Sequence, residues 1–281
     1  MDLAKSVIKS LPLLDGSSIP QIALGTYTLQ SQLILNEVIP YAYSLGYRHF
    51  DTAVMYNNEQ LIGKTLKTHK IPRESIFLTS KILPTDMSYE ASIASTKSTL
   101  KDLQTDYLDL LLIHWPGQRK DRIDTWKACE YMKDCGLARS IGVSNFTPIH
   151  LQSILKNCKY KPVVNQIEIH PLYYDKETIE FCENEKIILE AYCPFAQNDS
   201  KLIKNKFLLG LVEKYKKNVY QIILKWGTSK GFVMLPRSGK KTHVSENLNI
   251  DDFELSGKEI DEITALNCDY KIDWNPHDLL I

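Results

Sequence analysis

Short apolar runs alternate with longer amphipathic stretches along the whole chain. The apolar runs are "IALGT" (22–26), "RHFDT" (48–52), "IFLTSK" (76–81), "YLDLLLIH" (107–114), "RSIGVS" (139–144), "VVNQIEI" (163–169), "IILEAY" (187–192) and "FVMLP" (232–236). Several are almost continuously apolar, which marks strands covered on both faces. Between them lie "NEQLIGKTLKTH", "SYEASIASTKSTLKDL", "RIDTWKACEYMKDCG" and "DKETIEFCENEK", with a helical pattern of apolar positions. Asn, Ser or Asp opens several of these stretches as a cap, and Gly136 closes one. Strands alternating with helices predict a parallel sheet with its crossovers on the faces. Pro40 falls inside the amphipathic stretch 31–45, where it predicts a kink or a restart of the helix.

Eight such units in 281 residues fit an α/β fold, a single (β/α)8 TIM barrel spanning 1–281. The alternative is an open doubly wound sheet. Against it, no G-x-G-x-x-G follows the first strand and no G-x-x-x-x-G-K-[ST] occurs.

Composition narrows the partners. Lys+Arg and Asp+Glu are both 34, so no overall field points to nucleic acid or an anionic membrane. No apolar run reaches membrane-spanning length, and charges interrupt the first residues, which read as a poor signal peptide. The six cysteines form no C-x-x-C pair and read as reduced thiols of a cytoplasmic protein, with no metal site expected.

Chemistry in such a barrel sits at the C-terminal strand ends. Asp51, Lys81 and His114 end the second, third and fourth strands, and Tyr56 follows Asp51 closely. A buried Asp needs a cation, and Lys81 on the neighbouring strand supplies one. Its ammonium is expected to lower the pKa of Tyr56, so that the phenol can protonate a carbonyl oxygen as hydride reaches the carbon. A neutral His114 would orient that oxygen. Each of these residues taken singly is more often structural; four on consecutive strand ends are not.

The sequence here resembles the aldo-keto reductase family. "GYRHFDTAVMYNNEQLIG", "LTSKI", "YLDLLLIHWP", "GLARSIGVSNF", "PVVNQIEIHP" and "LPRSGKKTHVSENL" carry the likeness, from about residue 12 to about residue 256. The resemblance implies that Asp51, Tyr56, Lys81 and His114 are the catalytic tetrad. It also implies that "SLPLLDGSSIP" forms a hairpin plugging the barrel bottom.

The same resemblance implies NADPH as cofactor, with NADH less favoured. Gly25, Thr26, Tyr27 and Asp51 would flank the nicotinamide. Ser144, Asn145 and Gln166 would bind its carboxamide, with Tyr192 stacked on the ring and Pro194 and Phe195 beside the cofactor. Loops after the last strands of this barrel commonly bind phosphate. Arg237, Ser238, Lys240 and Lys241 stand there, with His243 where the family generally has Arg, and Glu246 and Asn247 would contact adenine. Tyr27, Tyr56, His114 and Trp115, with Trp274, would line a small carbonyl substrate. Only "WPGQRKDR" separates His114 from a helix expected at 122, so the site is read as open.

Two other functions fit a barrel. One is a lyase using Lys81 as a Schiff-base amine, disfavoured because Asp51 keeps that amine protonated. The other is a cofactor-binding regulatory or structural subunit without significant turnover. A monomer is expected.

Overall fold

A computed structural model describes residues 8–276; the remaining ends of the 1–281 span lie outside the described residues. The barrel strands, numbered β1 to β8, are Ala23–Gly25, His49–Asp51, Phe77–Ile82, Leu108–Ile113, Ala138–Ser144, Val164–Glu168, Ile188–Tyr192 and Val233–Met234. All neighbours pair in parallel in that order. Bridges from Ile22 to Met234 and from Gly25 to Arg237 join the last strand to the first. The eight apolar runs therefore all become strands.

The helices follow the amphipathic stretches: α1 Gln32–Leu45, α2 Glu59–Thr68, α3 Tyr89–Leu103, α4 Arg119–Asp134, α5 Pro148–Leu155 and α6 Lys176–Asn184. After β7 come α7 Ser200–Ile203, α8 Lys206–Tyr215 and α9 Val219–Ser229, then α10 Lys241–Leu248 and α11 Gly257–Thr264. Ser88 caps α3 by accepting from the Ala91 N–H, and Asp175 caps α6 by accepting from Thr178. Two local expectations need correction. Helix α1 does not restart at Pro40 but continues from Gln32 to Leu45, because Leu35, Val38, Ile39 and Ala42 bury one face and offset the missing N–H. Helix α4 begins at Arg119, three residues earlier than the pattern indicated, and shortens the loop after β4 further.

Period-two alternation turns residues i and i+2 of each strand to the same side. In β3 that inner set is Phe77, Thr79 and Lys81; in β7 it is Ile188, Glu190 and Tyr192. The barrel interior is thus apolar at the N-terminal strand ends and polar at the C-terminal ends. At the apolar end an antiparallel hairpin, Ser10–Pro12 with Ser18–Pro20, brings Leu13 and Ile19 against Ala23, Phe77, Leu110, Val164 and Val233. The hairpin closes the bottom, as the resemblance implied.

Candidate active site

The polar end gathers side chains from the ends of three neighbouring strands, β2 to β4, and from the turn after β2. Lys81 is 1% exposed, and its Nζ donates to both Asp51 oxygens at 2.9 and 2.8 Å and to the Thr52 carbonyl at 2.8 Å. The same nitrogen lies 3.3 Å from Tyr56 Oη, so one ammonium links carboxylate and phenol. Tyr56 ends a single 3-10 turn, Val54–Tyr56, held in place by buried Asn58. Asn58 accepts from Thr52 Oγ1 at 2.6 Å and donates to the carbonyls of Thr26 and Leu29 at 2.9 and 3.1 Å. His114 meets the Tyr56 ring edge-on, with centroids 6.0 Å apart, and its buried Nδ1 has no hydrogen-bond partner among the described residues.

Burial decides the charges here. It acts to lower the Lys81 pKa, but Asp51 and Tyr56 outweigh it and the ammonium is held charged. Burial and the nearby Lys81 push His114 down to about 3, so its imidazole is neutral. For Tyr56 the expected lowering does not occur. Burial dominates and raises the phenol to about 12, with the Lys81 ammonium opposing only part of that rise. A hidden phenolate loses more hydration than one cation, itself shared with Asp51, can restore.

Next to these four residues, on β5 to β7, a continuous polar chain forms. Tyr192 Oη donates to Asn145 Oδ1 at 2.8 Å, and Asn145 Nδ2 donates to the His114 carbonyl at 3.1 Å and to Ser144 Oγ at 3.2 Å. Ser144 Oγ donates to the Gln166 carbonyl at 2.8 Å, while Gln166 Nε2 reaches Asp51 Oδ2 at 2.9 Å. Gly25 and Thr26 sit beside Asp51, to whose carbonyl the Thr26 hydroxyl donates at 2.8 Å. Tyr27 is 52% exposed, and its ring lies 5.1 Å from that of Tyr56. Pro194 is buried, whereas Phe195 packs against Tyr220 at 4.9 Å.

The basic turn reaches the same rim, since Arg237 bridges to Gly25. Arg237, Lys240, Lys241 and His243 are exposed and Ser238 is buried, all around the N-terminus of α10, which has no side-chain cap. Its leading N–H groups are consequently open to an anion. Glu246 accepts from Asn218 Nδ2 at 3.3 Å, and Asn247 is buried in the same helix. Trp115 is buried and meets the exposed Trp274 edge-on at 5.6 Å.

Two acids escaped the sequence reading. Glu168 on β6 is buried and accepts from His170 Nε2 at 3.0 Å, Lys271 Nζ at 2.9 Å, and the N–H groups of Ile272 and Asp273 at 2.6 and 3.0 Å. It ties the C-terminal segment that carries Trp274 to the barrel. Glu190 on β7 lies within the barrel interior. For Glu190 the signal was a carboxylate in the otherwise apolar "IILEA"; for Glu168 it was a charge ending a fully buried strand.

A sequence profile described as "Aldo/keto reductase family" matches residues 21–268. The chain is 41% identical to the glyoxal reductase of Bacillus subtilis (strain 168), over 98% of this chain and 99% of that protein. Its fold superposes on MGS-M4, an aldo-keto reductase from a Medee basin deep-sea metagenome, with a TM-score of 0.91 and 33% identity, covering 95% and 97% of the two chains. It also superposes on a Bombyx mori aldo-keto reductase in complex with NADP, with a TM-score of 0.88 and 29% identity over 95% of each chain.

Proposed function

This chain belongs to the aldo/keto reductase family of oxidoreductases, and from that premise we propose that it reduces small aldehydes or ketones to alcohols with NADPH. The single observation that carries this reading is the Lys81 ammonium between the Asp51 carboxylate and the Tyr56 hydroxyl. The glyoxal reductase likeness supports small dicarbonyls as the substrate class.

The residues present fit the cofactor. Ser144, Asn145 and Gln166 form an amide-and-hydroxyl set for a carboxamide, Tyr192 offers a ring beside them, and Gly25, Thr26 and Tyr27 border the site. The uncapped α10 terminus with Arg237, Ser238, Lys240, Lys241 and His243 would hold a phosphate, with Glu246 and Asn247 toward the base and Pro194 and Phe195 along the side. When bound, NADPH supplies the hydride.

Everything else falls to the chain. Tyr56 keeps its proton at neutral pH, because burial holds the phenol near 12, and hands it to the carbonyl oxygen as negative charge builds there. Lys81 stabilises the phenolate left behind, and Asp51 keeps Lys81 charged and fixed. Neutral His114 orients the same oxygen without competing for the proton. Buried Trp115, with the exposed Tyr27 and Trp274, would form apolar walls around it.

Purified protein should consume NADPH in the presence of small dicarbonyls, aldehydes or α-keto esters. Tyr56→Phe should cut turnover by about 10²–10⁴-fold and leave NADPH affinity, read by fluorescence titration, nearly unchanged. Turnover in the Phe variant equal to that of the native protein would assign the acid elsewhere; no NADPH consumption with any of these carbonyls would defeat the reading as a whole.

A further inference from the structure

Below the tetrad lies a buried acid that the proposed mechanism does not use. Glu190 is 0% exposed and pairs in register with Gln166 on the neighbouring strand. Gln166 Nε2 has two hydrogens, and both are engaged: one by Asp51 Oδ2 at 2.9 Å, the other by Glu190 Oε2 at 2.9 Å. Two carboxyl acceptors on the nitrogen side fix which way the amide faces, and leave its carbonyl oxygen as the free end.

The charges around Glu190 balance without it. Lys81 contributes one positive charge and Asp51 one negative. The other titratable group facing it, His49, lies 3.7 Å from Glu190 Oε1, beyond hydrogen-bond reach, and its Nε2 is engaged with Thr79 Oγ1 at 2.9 Å. Burial keeps His49 neutral, near 3, so it supplies no cation. Glu190 Oε1 has no partner among the described residues. An ionised Glu190 would be a second buried anion beside Asp51 with nothing to answer it.

We propose that Glu190 is a positioning residue, an uncharged carboxylic acid that orients the Gln166 amide for the cofactor and spares the Asp51–Lys81 pair a second negative charge. The part concerning Gln166 rests on the function proposed above; the protonation of Glu190 does not. Burial, and then Asp51, raise its pKa to about 8, so the proton is retained at neutral pH and lost just above it. The charge that then appears disfavours a phenolate at Tyr56 and weakens it as an acid.

Two neutral variants separate orientation from charge. Glu190→Gln keeps an acceptor for Gln166 and should bind NADPH within about twofold of the native protein; Glu190→Met removes it and should weaken binding about tenfold, the loss of one buried hydrogen bond. Native kcat should fall by about tenfold as pH rises through about 8, a limb that Glu190→Gln should lack.

Thermal unfolding supplies a readout independent of turnover. A raised native pKa gives stability that is complete below the unfolded value of 4.5 and lost as pH rises through about 8. Native Tm should therefore decline by several degrees relative to both variants across that window. Parallel Tm profiles in all three proteins would show that Glu190 is ionised throughout and overturn its protonation. Native-like NADPH binding by Glu190→Met would overturn its positioning of Gln166. If native protein binds no NADPH, the function proposed above fails, while the Tm comparison still decides the state of Glu190.

Discussion

Lys81 survives as a charged group inside the barrel because three oxygens meet its three N–H bonds: both oxygens of Asp51 and the Thr52 carbonyl. Tyr56 Oη approaches as a fourth neighbour. Lys81→Met preserves most of the volume and strands the Asp51 carboxylate without a cation. Breaking a buried pair in this way costs about 3–5 kcal/mol, so urea unfolding should show a loss of that order. The same variant should be inactive at a temperature where it remains folded, since nothing then lowers the cost of a Tyr56 phenolate. A folded Lys81→Met protein with most of its turnover would reduce Lys81 to a structural partner of Asp51.

At the level of elements, the Glu168 side chain ties the C-terminal segment to β6. Burial acts to raise the Glu168 pKa, but the bonds from His170, Lys271 and Ile272 outweigh it and hold it down at about 2. A depressed native pKa means stability present above the unfolded value of 4.5 and lost as pH falls toward about 2. The amount at stake is on the order of 3 kcal/mol. Glu168→Gln should flatten that acid loss, destabilise the protein at neutral pH, and expose the segment from 268 onward to proteolysis. Because this segment carries Trp274 against Trp115, KM for bulky carbonyls should rise several-fold while kcat changes little. Unchanged cleavage rates would mean that the contacts of Cys268 and Tyr270 with Leu172 suffice to hold the strap.

The molecule as a whole separates an apolar, closed end from the polar rim of the proposed chemistry along the barrel axis. The hairpin residue Ile19 is fully buried in the apolar cluster at the closed end, opposite the rim that carries Asp51, Tyr56, Lys81 and His114. Ile19→Ala should cost about 2–5 kcal/mol, as transfer and cavity terms add. Turnover measured well below Tm should stay within about twofold of the native value. A selective loss of turnover in a fully folded Ile19→Ala protein would mean that the two ends are coupled through the interior layers.

Much of this arrangement was legible in the sequence, for a definite reason. Strand periodicity fixes which residues face inward, and the (β/α)8 layout puts strand ends on one rim, so the sequence alone brings Asp51, Lys81 and His114 together. Hydrophobic contrast alone located all eight strands; the hairpin at the bottom came from the family resemblance of "SLPLLDGSSIP". What required the tertiary structure was environment. Whether Lys81 or burial controls Tyr56 depends on how much water the folded rim excludes, and burial prevails. Whether Pro40 breaks α1 depends on the face that Leu35, Val38, Ile39 and Ala42 bury, which holds the helix intact. Glu168 and Glu190 stood visibly in strands, but the Lys271 and Ile272 donors of the first and the Gln166 donor and Asp51 charge that bear on the second lie elsewhere in the chain. Local pattern determines direction and register; desolvation and hydrogen-bond partnership belong to the packed interior, and there only the fold decides.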